Sequence, residues 1–200
     1  MHIDLPDFIE TERMILRRPS ASDRDAIASA IFESLPELAR WFEWAEIIQR
    51  YGGVEDLADR ATAAADRFDE GLDPTWYGWS RAEPNRMIGE FMLKTGDWDL
   101  GILEYMVWIR SDAAGKGFAS EASRHIFDVC FDQLGAKLLE ARCAPTNGPS
   151  RKLMQKLGFQ AWGYHADVPR YVLFPASWAR HGSAATVRLV RQRFLSRTVA

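Results

Sequence analysis

Cysteine is nearly absent from this 200-residue chain: only Cys130 and Cys143 occur, and no CxxC pair exists. That excludes a disulfide scaffold and a cysteine-built zinc cluster, and it suits a protein kept in the reducing cytoplasm. No metal site is expected. Long apolar runs are also missing, and the longest fall far short of the ~20 residues a membrane-spanning helix requires. The first twelve residues carry acids, no Lys or Arg and no apolar stretch, which argues against a secretory signal peptide. Glycine and proline, fourteen and nine residues, are near their average share, so collagen-like repeats and Gly/Pro-rich disorder are excluded.

What is present is the composition of one soluble globular domain over residues 1–200, with 47% hydrophobic and 26% charged residues. The net charge of -3 hides an asymmetry. Residues 1–110 hold 12 Lys/Arg and 22 Asp/Glu, whereas residues 111–200 hold 13 and 6. A basic half of this kind points to an anionic partner, and nucleic acid, a membrane surface and a phosphorylated cofactor are all open on charge alone.

Periodicity divides the chain into elements. A strand is expected over residues 13–18, stopped by Pro19, with Ser22 or Asp23 placed to cap a helix. Apolar residues recur at helical spacing from Ile27 to Ile48, which predicts two helices broken near Pro36. A third runs from Val54 to Phe68 after Gly52 and Gly53. The period then changes: residues 75–81, 87–94 and 102–110 read as an antiparallel meander. Residues 111–117 form a loop into a helix that reaches about Leu134 and stops at Gly135. Next come a strand over 137–143, a helix over 147–157 and strands over 159–164 and 170–174. Residues 176–197 look helical and basic.

The stretch Arg110-Ser111-Asp112-Ala113-Ala114-Gly115-Lys116-Gly117-Phe118-Ala119-Ser120 runs from a strand through a glycine-bearing loop into a helix. Free N–H groups and the positive helix end converge there, as a pyrophosphate site requires, although a purely structural turn has the same composition. It is not a P-loop, because the first Gly and the terminal hydroxyl of G-x-x-x-x-G-K-[ST] are missing. A dinucleotide fingerprint fits in part, with Gly115, Gly117 and Glu140, but that motif opens a βαβ unit and here a meander precedes it.

The wider pattern resembles the GNAT family of acetyl-CoA-dependent N-acetyltransferases. Gly115-Lys116-Gly117-Phe118-Ala119 matches the core motif Q-G-x-G-x-A after its first position, where Ala114 stands for the usual Gln or Arg. Asn147-Gly148-Pro149-Ser150 and Lys156-Leu157-Gly158-Phe159 resemble the downstream N-x-x-S and K-x-G-F block. Thr11 to Arg17 and Leu38 to Trp44 resemble the opening strand and the Trp-bearing helix of the RimJ/RimL-like branch. The resemblance spans about residues 9–178. It implies an α/β (α+β) GNAT fold: a mixed, mostly antiparallel sheet of six to seven strands flanked by helices.

The same resemblance implies acetyl-CoA as the cofactor, coenzyme A as product, and direct transfer to an amine acceptor. That acceptor is a protein N-terminal α-amine or, alternatively, a small molecule such as an antibiotic, polyamine or amino acid. A non-catalytic acyl-CoA-binding protein is the reading that Ala114 keeps open. Trp108 and Ile109 would border the acetyl group, Ala114 to Ser120 would bind the pyrophosphate, and Asn147 would bond the pantetheine arm. Lys116, Arg110 and Lys156 would supply charge. Glu104 is the candidate base, or an exposed strand acid. Ser150 is the candidate acid beside the thiolate, or a helix cap. Tyr164 and His165 come after the Gly158-Phe159 strand and could reach the site. Exposed aromatics among the eight Trp would serve a homodimer or the core. Nucleic-acid contact is not expected, since no RNA-binding signature accompanies the basic tail. The charge split is then read as anionic cofactor on the basic half and cationic acceptor on the acidic half.

Overall fold

A computed structural model describes residues 5–181. Its strands are β1 (Phe8–Glu10), β2 (Met14–Arg17), β3 (Thr75–Ser80), β4 (Met87–Asp97), β5 (Ile102–Ile109), β6 (Leu138–Arg142), β7 (Gln160–His165) and β8 (Val168–Leu173). The helices are α1 (Arg24–Leu38), α2 (Glu43–Tyr51), α3 (Val54–Asp69), α4 (Phe118–Asp128), α5 (Gly148–Lys156) and α6 (Pro175–His181). The strands form one sheet in the order β1-β2-β3-β4-β5-β6-β8-β7. The eighth strand, beyond the six to seven expected, is β1: three residues paired with β2, too short to leave a periodic signal. The basic helix expected over residues 176–197 is described only as far as His181; the remainder lies outside the described residues.

Apolar residues on the two faces of the sheet bury two clusters. On one face Phe127 of α4 meets Tyr105, Phe159 and Trp178 edge-on, with ring centroids 4.8, 5.6 and 5.5 Å away. Burying a ring of this size contributes roughly 2–3 kcal/mol. On the other, α1 lays Ile27, Ile31, Leu35 and Leu38 near Tyr77, Trp79, Met87 and Trp108.

Two helix ends depart from the sequence reading. Pro36 does not break α1, which continues through it to Leu38. Proline removes one N–H bond and crowds the carbonyl four residues back, a cost confined to the last turn when it stands two residues from the helix end. The break falls over residues 39–42, where Phe42 is extended (φ -123°, ψ 120°) before α2 begins. The helix expected to reach Leu134 does so, but its last turn, Val129–Gln133, is wound as a π-turn before Gly135 ends it at φ 64°.

The sheet is antiparallel except at β5 and β6. These two run parallel and pair only over Ile102–Glu104 and Leu138–Glu140. Beyond Glu104 each strand keeps to a different neighbour: β5 stays bonded to β4 as far as Ile109, while β6 stays with β8. A wedge therefore opens between them, and the site is built around it.

Candidate active site

The loop before α4 turns twice through left-handed backbone, at Gly115 (φ 75°) and Gly117 (φ 86°), where a side chain is strained. Helical bonding then begins with the Glu121 N–H to the Gly117 carbonyl at 3.0 Å. The N–H groups of Phe118, Ala119 and Ser120 precede that bond and have no intrahelical acceptor, so with the helix dipole they make an anion site. They border a groove of about 590 Å³, lined on one side by Ala114, Gly115, Gly117 and this first turn, and on the other by Asn147, Ser150 and Lys156. Lys156 reaches across it, its Nζ 2.9 Å from Ser120 Oγ. Trp41, Phe42, Val107, Trp108 and Ile109 also line the groove.

The loop is held by a residue 103 positions upstream of Lys116. Arg13 donates Nη1 to the Lys116 carbonyl at 3.0 Å and Nε to Glu121 at 2.6 Å, and its guanidinium lies 4.3 Å from the Phe118 ring centroid. Thr11 donates its hydroxyl to the same Glu121 carboxylate at 2.6 Å. Burial pushes the Glu121 carboxyl up, but the bonds from Thr11 and Arg13 outweigh it and hold the group below its ordinary value. The Thr-Glu-Arg segment leading into β2 thus clamps the turn that presents the N–H groups.

In the wedge, backbone direction is set by the ladder. Arg110 donates its N–H to Ile88, toward β4. Because alternate residues of a strand point to opposite edges, the N–H groups of Ile109 and Val107 face the gap, where β6 no longer pairs. At the far wall Asn147 caps α5: its Oδ1 accepts the Ser150 N–H at 3.1 Å, which leaves its NH₂ as the donor it can offer. The capping role considered for Ser150 therefore belongs to Asn147. Ser150 stands in the first turn and lines both the groove and a smaller cavity of about 80 Å³ inside the wedge.

Of the other sequence candidates, Glu104, Tyr164, His165 and Arg110 do not line the groove. Glu104 is held by both guanidinium arms of Arg142, at 2.8 and 2.5 Å, an embrace that raises the Arg142 pKa further. It lines neither cavity. Tyr164 is 74% exposed, and His165 lies beside it on β7, the sheet edge. Arg110 is paired to Glu33 at 2.5 Å and Asp112 at 3.2 Å, and its hydrogen bond keeps the Asp112 carboxyl below the usual range. Lys116 contributes its carbonyl to Arg13 and is exposed beside the groove.

One carboxylate of the site escaped the sequence reading. A third cavity, of about 260 Å³, adjoins the groove through Phe42, Val107 and Trp108. Glu90 of β4 is buried in its wall and accepts Trp108 Nε1 at 2.9 Å and Arg60 at 3.2 Å. The available signal is a lone acid inside the apolar run Met87 to Leu93, since carboxylates are almost never buried unless paired. Phe42 and Val107 border all three cavities and mark where they meet.

A sheet opened between two parallel strands, with a glycine-entered helix at the opening, gives the chain the build of an acetyltransferase. The GNAT acetyltransferase domain matches residues 13–160, and the chain belongs to that family. It is 29% identical over 164 residues to the uncharacterized N-acetyltransferase p20 of Bacillus licheniformis, covering 82% of this chain and 88% of that one. Its fold is similar to that of the RimL ribosomal L7/L12 α-N-protein acetyltransferase in complex with coenzyme A (TM-score 0.72, 14% identity, 84% of this chain and 97% of that one). It is also similar to the ribosomal-protein-S5-alanine acetyltransferase of Vibrio fischeri (TM-score 0.71, 19% identity, 88% and 99%). Among the described residues, no helix is long and apolar enough to cross a membrane.

Proposed function

We propose that the chain transfers an acetyl group from acetyl-CoA directly to a primary amine, and that the acceptor is a protein N-terminal α-amine. The observation that carries this reading is the meeting of two cavities at Val107, where strand N–H groups face a gap with no strand partner. The glycine-lined first turn of α4 fits a pyrophosphate, and the long groove continuing to Asn147 and Ser150 fits an extended arm. Bound acetyl-CoA supplies a thioester as the acetyl donor. The N–H groups of Phe118, Ala119 and Ser120, with Lys156, hold phosphate oxygens, and the Asn147 NH₂ bonds the arm.

The chain's residues then divide the chemistry. The Val107 N–H, where the cavities meet, acts as the oxyanion donor to the acetyl carbonyl, and the Ile109 N–H, ~6.6 Å further along the strand, bonds the arm instead. Glu90 takes the proton the amine must lose, and the Ser150 hydroxyl gives one to the departing sulfur and regains one from solvent. Glu104, committed to Arg142, is replaced in the base role by Glu90. An α-amine titrates near ~8 against ~10.4 for lysine, so a carboxylate relay suffices for the former. A small amine is the second acceptor reading, favoured by the modest volume of the acceptor cavity. The two free cysteines, Cys130 buried and Cys143 half-buried, suit a cytoplasmic setting.

The test is a panel of N-terminal peptides and small amines with acetyl-CoA, read by thiol release. Acetylation of peptides at the α-nitrogen is expected. Turnover of small amines alone would overturn the protein-acceptor reading, and binding of acetyl-CoA without turnover would favour a non-catalytic protein.

A further inference from the structure

The acceptor cavity is not the acidic chamber that the charge split of the chain suggests. Its ionisable lining is Arg60, Arg67 and Lys94 against Asp73 and Glu90, three cations to two carboxylates. The acids nearest the cavity are instead consumed in pairs: Glu90 holds Arg60, Asp73 holds Arg67, and Glu104, opposite Lys94 in the ladder, is held by Arg142. Lys94 is exposed, and no carboxylate among the described residues forms an ion pair with it.

These charges are arranged along an axis. Glu90, Met92 and Lys94 alternate on one face of β4, so Lys94 lies about 13 Å from Glu90 along the strand. Arg60 and Arg67 are seven residues apart on α3, two turns or about 10 Å. One end of the cavity therefore holds Glu90, Trp108 and Arg60 beside the cofactor groove, and the other holds Arg67 with its partner Asp73, and Lys94. Phe42, Met92 and Met106 line the cavity as well and give it an apolar character.

We infer that this cavity selects an amine whose own chain carries an anionic group roughly 10 Å from the nitrogen, the ~13 Å between Glu90 and Lys94 less ~3 Å of hydrogen-bond contact, the amine meeting Glu90 and the anion meeting Lys94. In an extended peptide that spacing places the anion on the side chain of the third residue, as Asp or Glu. The inference rests on the acceptor reading above. Lys94 acts as a specificity residue: it pairs with a charge that a mismatched acceptor lacks, and an acceptor with a cation at that position meets repulsion instead.

The experiment compares three amidated hexapeptides, identical except for Glu, Gln or Arg at position three, by kcat/KM for thiol release. Wild type is expected to favour Glu over Arg by about tenfold or more, with Gln between, and Lys94→Glu is expected to reverse the order. Lys94→Gln, which leaves no charge to misplace, should level it. Equal rates, or an Arg preference in wild type, would overturn the inference. If no peptide reacts, 6-aminohexanoate is compared with 1,6-diaminohexane under the same conditions. Preference for the amino acid sustains the anion site while the peptide reading falls, and preference for the diamine, or no turnover of either, overturns the anion site too.

Discussion

Trp108 donates its indole N–H to Glu90 at 2.9 Å, and through that bond the groove at the start of α4 is tied to the wall of the cavity beside Arg60. Trp108 comes from β5 and Glu90 from the neighbouring β4, directly opposite in the ladder. The carboxylate is buried yet accepts two donors, Trp108 and Arg60, so it is kept in place without being apolar in its surroundings.

Replacing Glu90 by Gln retains an acceptor oxygen for Trp108 and removes the ability to take a proton. We expect kcat to fall about 100-fold with acetyl-CoA affinity unchanged. Titration calorimetry beside steady-state kinetics separates the two, and an unaltered kcat would remove Glu90 from the chemistry.

Arg13 and Glu121 make a pH-dependent clamp. The Glu121 carboxyl is depressed in the folded protein, so the stability it contributes is present above the ordinary Glu value of about 4.3 and is lost as pH falls through the lower, folded one. Glu121→Gln is expected to cost about 1–2 kcal/mol at neutral pH and less in acid, flattening the acid limb of a Tm-against-pH curve. A limb as steep as wild type would contradict the assignment.

Asn147 and Ser150, three residues apart, should separate stability from chemistry. Asn147→Ala removes the α5 cap, costs about 1 kcal/mol and weakens cofactor binding. Ser150→Ala leaves the cap intact, so Tm should hold while kcat drops. A Tm loss in Ser150→Ala equal to that of Asn147→Ala would return Ser150 to a structural part.

At Gly117 an added Cβ would stand 3.5 Å from Arg13, in backbone at φ 86°. The strain of a left-handed residue is about 1–2 kcal/mol. Gly117→Val should therefore weaken acetyl-CoA binding at least as much as it lowers stability. Calorimetry showing wild-type affinity would place the pyrophosphate elsewhere.

The cofactor side is legible in the sequence because its signals are local. Glycines that permit a left-handed turn, a helix start and an Asn three residues before a Ser are each read within a few positions. The acceptor side is not, because it is assembled from distant segments. Glu104 is near the loop along the chain, but its spatial partner is Arg142, 38 residues on. Tyr164 comes soon after Phe159 in sequence, yet β8 inserts between β6 and β7 and leaves β7 at the sheet edge, away from the wedge. Arg13 reads as part of a strand motif, and only the packing of β2 beside α4 reveals it as the clamp on the loop. The charge count of each half is correct as arithmetic, but ion pairing within the acidic half cancels most of it where the acceptor would enter.

Acetyl is expected to pass from acetyl-CoA to an α-amine at the meeting point of the two cavities. Mass spectrometry of a peptide carrying both a free N-terminus and an internal lysine, incubated with the protein and acetyl-CoA, locates the transferred group. One acetyl group is expected, on the α-nitrogen, formed about 100-fold more slowly in Glu90→Gln. Acetylation confined to the lysine, or an unmodified peptide while acetyl-CoA remains bound, would contradict it.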